Sequence, residues 1–168
     1  MKLILLLFVC LNPFNSDLSA YRKLLDGAVD NKEVANELYT RLKTVKESDT
    51  PVLVGFRAMS EFMICKHLFN PFNRISHFNK GKRLLEMAIK RDKNNPELLY
   101  FRLSTQSNIP SFLGYNSNID TDKLALISYL KSAATHPDED NVLNKRIKAY
   151  LLKNQYCSIA EKALIKTL

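Results

Sequence analysis

The stretch DTPVLVGFRAMSEFMICKHLFNP, residues 49–71, decides the fold class. It opens with Asp49-Thr50-Pro51, which joins a helix-capping side chain to a proline whose fixed φ suits the first turn of a helix. Apolar residues then occupy most sides of a helical projection up to Asn70-Pro71, where the residue before proline is pushed out of the helical region. A helix that is apolar on most sides is buried. The stretch therefore predicts the central helix of an all-α protein.

Helical periodicity extends in both directions from this stretch, and no alternating strand pattern of useful length interrupts it. Four glycines in 168 residues also favour helices over the many tight turns of an all-β fold. We expect an irregular array or bundle of about seven to eight helices, packed as antiparallel pairs in a single domain over residues 21–168. The predicted helices are 21–29, 31–47, 51–69, one that holds Leu84 and Ile89 and ends near Arg91, 96–106, 120–135, 137–153 and 154–167.

Two segments between these helices are predicted to be irregular. Phe72, Ile75 and Phe78 fall in a connection that follows the proline at the end of the central helix. Residues 107–118 form a second and longer irregular stretch, which contains both a proline and a glycine.

Composition and charge narrow the class of protein. The chain has 46% hydrophobic and 25% charged residues, which is typical of one globular domain. A net charge of +8 and a pI near 9.4 favour an acidic partner, such as anionic lipid, acidic glycan, nucleic acid or another protein. The alternative is that the lysines and arginines, which are spread over the predicted helices, cover solvated helix faces.

The N-terminus has the order of a secretory signal. Lys2 precedes the apolar run 3–11 and a helix-breaking polar stretch that ends at Ser19-Ala20. We expect residues 1–20 to be a signal peptide that is cleaved during export. Two alternatives remain, a lipid-modified Cys10 and an N-terminal segment that is retained and packed. The apolar run is far shorter than the roughly 20 residues of a membrane-spanning helix, so no transmembrane span is expected.

Residues 81–97, GKRLLEMAIKRDKNNPE, resemble the second helix of a tetratricopeptide repeat and the turn to the next unit. Gly81 and Ala88 occupy the two small-residue positions, which allow two helices to pack closely. The resemblance covers about one unit, residues 65–99, and implies a tetratricopeptide-like helical array. The chain departs from the family pattern at Pro71, which falls inside the first helix of that unit.

A set of shorter stretches is similar to a group of exported bacterial helical proteins without an assigned activity. These stretches are 66–71, 80–82, 101–104 and 112–115. The resemblance implies a periplasmic or cell-envelope location and carries no activity with it.

Residues 100–115 hold the candidate functional site. Arg102 and Gln106 lie four residues apart on one face of a predicted helix, and Phe112 and Tyr115 follow in the irregular stretch. A loop rich in large apolar side chains does not extend freely into water. Either the loop tucks into the bundle, with Arg102 and Gln106 bonding its backbone groups, or its aromatic side chains face a partner.

Other residue types that carry chemistry lack a supporting pattern. Cys65, His67 and His77 contain metal-ligand types, but residues two apart on a helix point to different faces, so no metal site is expected. Cys65 and Cys157 either pair or remain free thiols. The sequence contains no serine-based motif, phosphate-binding glycine loop or EF-hand. We therefore predict neither a cofactor nor a catalytic residue.

These patterns support three hypotheses about function. The leading one is a non-enzymatic, exported scaffold or interaction module that binds a protein or peptide of the bacterial cell envelope in a groove between helix pairs. The second is a basic surface that binds anionic lipid or polysaccharide. The third is an enzyme whose residues are dispersed around Arg102, His67 and His77. No nucleic acid partner is expected.

Overall fold

The computed structural model describes residues 13–135 and 140–168, and this part of the chain is all-α, as the sequence predicts. It contains eight α-helices and one short 3-10 helix, Ser111–Leu113, and these two ranges hold no β-strand. In chain order the α-helices are α1 Pro13–Ala28, α2 Lys32–Leu42, α3 Pro51–His67, α4 Pro71–Arg91, α5 Pro96–Asn108, α6 Ile119–Ala133, α7 Asn141–Lys153 and α8 Ile159–Thr167.

Besides α1, three of these helices have a proline at their first residue. α3, α4 and α5 each begin at a proline, whose missing N–H is not needed because first-turn donors have no helical acceptor. An asparagine caps two of them: Asn70 Oδ1 accepts from the amide of Phe72 at 2.9 Å, and Asn95 Oδ1 accepts from the amide of Glu97 at 3.1 Å. The helix starts predicted at Pro51 and Pro96 are confirmed, whereas Pro71, where the sequence predicts only the end of a helix, begins the next one.

The irregular connection predicted around Phe72, Ile75 and Phe78 is wrong, because all three residues belong to α4. Asn70-Pro71 separates two helices, but the asparagine cap restarts helical structure at once. Phe78 is buried against Phe62 of α3, with ring centroids 5.8 Å apart, and this contact holds the first half of α4 on the core. α4 consequently runs over 21 residues without a break.

The first helix also differs from the prediction, since α1 begins at Pro13 and not at residue 21. Its Leu18 lies in the hydrophobic core. The expected cleavage position after Ala20 therefore falls within α1. Residues 1–12, which include the apolar run and Cys10 of the predicted signal, lie outside the described residues.

The last helix begins at Ile159, later than predicted, because a capping box selects its start. Ser158 Oγ accepts from the amide of Glu161 at 3.2 Å, and the Glu161 carboxylate accepts from the amide of Ser158 at 2.7 Å. The two residues satisfy each other's backbone donors at the helix N-terminus. The preceding residues 154–157 form a turn in place of the helical start that the sequence predicts.

The helices pack in chain order, with α3 at the centre. Each described helix packs against the next, and α3 also contacts α1 and α5. Short connections make consecutive helices antiparallel. α3 and α4 approach closely at Gly81, where a Cβ atom would lie 2.9 Å from Phe62 Cε1 and 3.1 Å from the carbonyl oxygen of Ala58. The small-residue position that the sequence assigns to Gly81 is therefore a helix-helix contact.

The hydrophobic core runs along this array. Phe56 of α3 and Phe101 of α5 are fully buried and meet edge to face, with ring centroids 4.9 Å apart. Burial of a side chain of this kind stabilises the fold by about 1.5–3 kcal/mol. The largest fully buried side chains are Leu38, Leu42, Phe56, Leu84, Leu85, Leu98, Phe101, Leu103, Leu126, Ile147, Leu151 and Ile165. Among residues 13–135 and 140–168, no helix is both long enough and apolar enough to cross a bilayer.

Candidate functional site

The predicted site lies where α5 ends and the chain turns towards α6. α5 continues to Asn108, two residues further than predicted, and the 3-10 helix occupies the middle of the irregular stretch. Gly114 closes that short helix at φ 61° and ψ 31°, a left-handed conformation that glycine adopts without steric cost. The segment is thus a defined turn between two helices.

Arg102 projects from α5 into a buried cluster of charged groups. Its Nε and Nη2 each donate to a carboxylate oxygen of Asp122 on α6 at 2.7 Å, and its Nη1 donates to Glu86 Oε2 on α4 at 3.0 Å. Burial alone would lower the pKa of Arg102, but the two carboxylates raise it above its usual value. Arg102 therefore joins three helices through side chains, whereas the sequence-based expectation was that it bonds loop backbone.

Tyr115 packs into the same cluster from the loop. The side chain is buried, and its hydroxyl donates to Glu86 Oε1 at 2.6 Å. Burial and the nearby carboxylate raise the pKa of Tyr115. The Lys82 ammonium lies 4.9 Å from the ring centroid, and the Phe78 ring stands edge-on to it with centroids 6.2 Å apart. Glu86 thus bridges Arg102 and Tyr115.

Gln106 forms the second anchor of the loop. Its buried carboxamide accepts from the amide N–H of Asn118 at 3.1 Å and donates to Asn118 Oδ1 at 3.3 Å. The contact ties the last residue before α6 to the last turns of α5. Gln106 therefore bonds a backbone group of this loop.

Phe112 points away from these anchors and is 84% exposed. Three further apolar side chains of the turn are exposed or half-buried, and together with Phe112 they form what we call the loop surface: Ile109, Pro110, Phe112 and Leu113. The two readings of the sequence thus apply to different residues, because Tyr115 tucks into the bundle while Phe112 faces solvent.

The three residues of the enzyme hypothesis have separate surroundings. His77 Nδ1 lies 2.6 Å from Glu61 Oε2, and His67 Nε2 lies 2.8 Å from the carbonyl oxygen of Ala28 at the end of α1. Arg102 pairs with other carboxylates, as described above. Within the described chain, no bonded partner is common to any two of these three residues.

Several charged residues of the interior were missed by sequence reasoning. Glu61 is fully buried and lies 2.6 Å from the Lys80 ammonium as well as from His77. A lone carboxylate within the apolar stretch of α3 was the available signal for it. Asp122 lies in the first turn of α6, where an acidic residue is favoured for local reasons, and Glu86 follows no pattern, so their partners could not be identified from the sequence.

The cysteines and the metal-ligand residues are likewise dispersed. Cys65 and Cys157 are both free, and burial raises the pKa of each thiol. Across residues 13–135 and 140–168, no group of three or more histidine, cysteine, aspartate or glutamate side chains is arranged to hold a metal ion.

Surface depressions occur beside α6, away from the predicted site. One, of about 320 Å³, is lined by residues of α5 and α6 that include Leu99 and Ala125. Another, of about 240 Å³, lies between α6 and α7 and is lined by residues that include Asn144 and Lys148.

Comparison of the chain with family models, curated proteins and solved structures returns no match. Its function is therefore inferred from its own side chains.

Proposed function

We propose that this chain is an exported, non-enzymatic binding module that engages a protein or peptide partner of the bacterial cell envelope through the loop surface. One observation carries the proposal: Phe112 is 84% exposed on a turn that the buried side chains of Tyr115 and Gln106 tie to the helices. A large apolar group held outward in this way gains most from contact with an apolar partner surface.

Rigid presentation is the physical advantage of the two anchors. A loop that is already ordered loses little conformational freedom when it binds, so more of the contact energy appears as affinity. Tyr115 on Glu86 and Asn118 on Gln106 hold the part of the loop that follows Phe112, and the part that precedes it continues directly from α5.

The buried charges support a structural role for the polar interior. Arg22 of α1 donates to both carboxylate oxygens of Glu97 on α5 at 2.7 and 2.8 Å and also pairs with Asp140 at 2.7 Å. The Arg102 cluster follows the same scheme. Groups engaged in such inter-helix pairs hold the array together and are poorly placed for proton transfer to a substrate.

The packing order is compatible with the tetratricopeptide-like array that we propose as the scaffold of this module. In addition to neighbouring contacts, α1, α3 and α5 touch in succession, as the first helices of stacked pairs do in helical repeats. The contact at Gly81 supports the same scheme, since it lets α4 lie close on α3.

Affinity capture from a bacterial envelope extract tests the proposal. The wild type is compared with Phe112→Ser, and Ile159→Ser is the matched control because Ile159 is a comparably exposed apolar residue, at 90%, on α8. We expect a saturable partner that is lost with Phe112→Ser and kept with Ile159→Ser. Capture that is unchanged by Phe112→Ser, or the absence of any saturable partner, would refute the loop surface as the binding site.

N-terminal sequencing of the exported protein tests the location separately. A mature protein that begins at Tyr21 supports cleavage after Ala20, and a lipid-modified N-terminus at Cys10 supports the lipoprotein alternative. An unmodified N-terminus that precedes residue 13 would support the third alternative, a segment that is retained and packed. The position of Leu18 in the core agrees with that alternative. Protein found only in the cytoplasmic fraction would contradict export.

A further inference from the structure

The turn between α3 and α4 carries a second exposed apolar surface, unrelated to the loop surface. Phe69, in the connection, is 95% exposed, and Phe72 and Ile75, in the first turns of α4, are 80% and 56% exposed. Phe72 and Ile75 are three residues apart and so lie on one face of the helix. We call Phe69, Phe72 and Ile75 the hairpin tip.

The hairpin tip is more than a set of scattered surface residues. Phe78, further along α4, is buried against Phe62, so the inward-facing apolar side chains of this helix are satisfied by the core. The tip residues lie beyond that contact, at the end of the hairpin. Single exposed apolar residues are common on proteins, but two phenylalanines and an isoleucine grouped at one turn indicate an interaction surface.

The chain segment that forms the hairpin tip carries cations and no acidic residue. Residues 62–85 contain no aspartate or glutamate. The cations in this range are Lys66, Arg74, Lys80, Lys82 and Arg83. Arg74 is exposed within the tip itself, and Lys66, also exposed, lies on the last turn of α3 with its ammonium 3.5 Å from Asp30.

The remaining cations of this range lie further along α4, and each has a partner from another part of the chain, which for Lys82 is the Tyr115 ring. Lys80 pairs with Glu61 at 2.6 Å, and Arg83 pairs with Glu47 at 2.7 Å. Positive charge that faces outward beside the tip therefore comes mainly from Lys66 and Arg74.

We propose that the hairpin tip inserts into the surface of an anionic lipid bilayer. Phenylalanine and isoleucine side chains enter the boundary between headgroups and acyl chains, while flanking lysine and arginine remain at the level of the acidic headgroups. A soluble acidic polysaccharide offers negative charge but no apolar phase for three exposed side chains. A protein groove offers an apolar phase, but the acid-free 62–85 range matches the continuous negative potential of an anionic bilayer better.

This inference goes beyond the proposed binding module, because the loop surface and the hairpin tip belong to different connections. Insertion of the tip would hold the module at a membrane while the loop surface engages its partner. Each surface fails independently when its own phenylalanine is changed, so the two proposals are separable by experiment.

The chain contains no tryptophan, which allows a direct insertion assay. Phe72→Trp and Phe112→Trp each introduce a single fluorophore, the first in the hairpin tip and the second in the loop surface. Both are mixed with vesicles of phosphatidylcholine alone and of equal parts phosphatidylcholine and phosphatidylglycerol. We expect a blue shift and protection from aqueous quencher for Phe72→Trp on the anionic vesicles only. Unshifted emission of Phe72→Trp, or an equal shift for Phe112→Trp, would overturn the proposal.

Vesicle sedimentation of the full chain separates the apolar contribution from the electrostatic one. Phe69→Ser with Phe72→Ser should lower the vesicle partition coefficient roughly tenfold or more, whereas Phe112→Ser should leave it unchanged. Lys66→Gln with Arg74→Gln should lower the vesicle partition coefficient by about fivefold per cation. Raising the salt concentration should also lower the partition coefficient of the wild type. Lys131→Gln with Lys153→Gln, on α6 and α7, is the control of equal charge.

Far-ultraviolet circular dichroism confirms that each variant is folded before its binding is interpreted. Binding that survives loss of both phenylalanines, or that soluble polygalacturonate competes away without any need for the tip, would show an electrostatic surface and overturn insertion. A Phe72-dependent protein partner together with no vesicle binding would overturn it equally.

Discussion

Two connections of this molecule each present an exposed phenylalanine, and the protein supports them in opposite ways. At the loop surface, Phe112 stands between Tyr115 and Gln106, whose polar groups are bonded inside the bundle. At the hairpin tip, Phe69 lies within a three-residue connection and Phe72 in the first turn of α4, whose start one asparagine caps. Similar exposure therefore accompanies very different local support.

The difference in local support indicates which kind of partner each surface suits. We expect selection of a particular partner at the loop surface and simple apolar attraction at the hairpin tip. A protein partner is selected by side chains held in a defined geometry, so the anchored loop suits it. A bilayer surface is fluid and needs no fixed geometry, so a short turn with apolar and cationic residues suffices. Substitutions that remove the anchors, the core contacts or the exposed rings test this comparison in turn.

The largest effect is expected from Arg102→Ala, which removes the charged centre beneath the loop surface. Asp122, which is buried, would lose its partner, and breaking a buried ion pair costs about 3–5 kcal/mol of unfolding free energy. Arg41→Ala is the control, because its pair with Glu37 is half-exposed and worth about 0.3–0.5 kcal/mol. Urea unfolding measures both, and equal losses in the two variants would contradict the role of the cluster.

Phe78→Ala should be the next most damaging change and lies on the same helix as the hairpin tip. Phe78 is buried against Phe62 and Tyr115, so truncation should cost about 3 kcal/mol. Phe72→Ala, two turns earlier and exposed, should change stability by about 0.5 kcal/mol or less. A large loss from Phe72→Ala would mean that the tip packs on the protein and is not available to a membrane.

Gly81→Ala tests the close contact between the helices of the hairpin. Its new methyl group would meet Phe62 at 2.9 Å, so overpacking should cost about 1–3 kcal/mol despite the better helix propensity of alanine. If Gly81→Ala proves neutral in thermal unfolding, the helices do not approach as described.

Gly114 in the loop has open space around it but a positive φ. Gly114→Ala should therefore lower the unfolding free energy by about 1 kcal/mol, and Gly114→Asn should lower it less.

Tyr115→Phe should have the smallest effect, about 1 kcal/mol at neutral pH, because it removes one hydrogen bond to Glu86. Burial and Glu86 raise the pKa of Tyr115, so the folded state holds the phenolic proton more tightly than the unfolded chain. This contribution is complete below the unfolded tyrosine pKa of about 10 and is lost as pH rises above it. Wild type should therefore lose stability faster than Tyr115→Phe in alkaline solution, and parallel curves would contradict the buried hydrogen bond.

Much of the fold could be predicted from the sequence, because helix starts depend on neighbouring residues. The prolines of α3 and α5 act locally, and the structure agrees with them. Gly81 contacts a distant helix, but the resemblance to a helical repeat marked it as a small-residue position. The error at residues 72–78 has a local cause as well: Asn70-Pro71 was taken as a stop, although the same pair is also a strong start.

The candidate site could be predicted only in part. Arg102 and Gln106 were selected because a loop rich in apolar groups needs polar anchors, and Gln106 bonds the loop backbone. Tyr115 was selected as an aromatic residue of the loop, and it is tied to the bundle through its hydroxyl. The partners of Arg102 come from α4 and α6, at separations of 16 and 20 residues, and no local pattern identifies such contacts. Which phenylalanine faces solvent depends on the same long-range packing, so Phe112 and Phe72 could not be distinguished from buried aromatic residues in advance.

Hydrogen exchange at the Asn118 amide tests most directly the claim that the loop surface is held by buried anchors. Because this N–H donates to buried Gln106, it should exchange much more slowly than an unstructured peptide, and Gln106→Ala should remove that protection while α3 amides stay protected. Exchange of the Asn118 amide at the unstructured rate in the wild type would contradict the anchored loop.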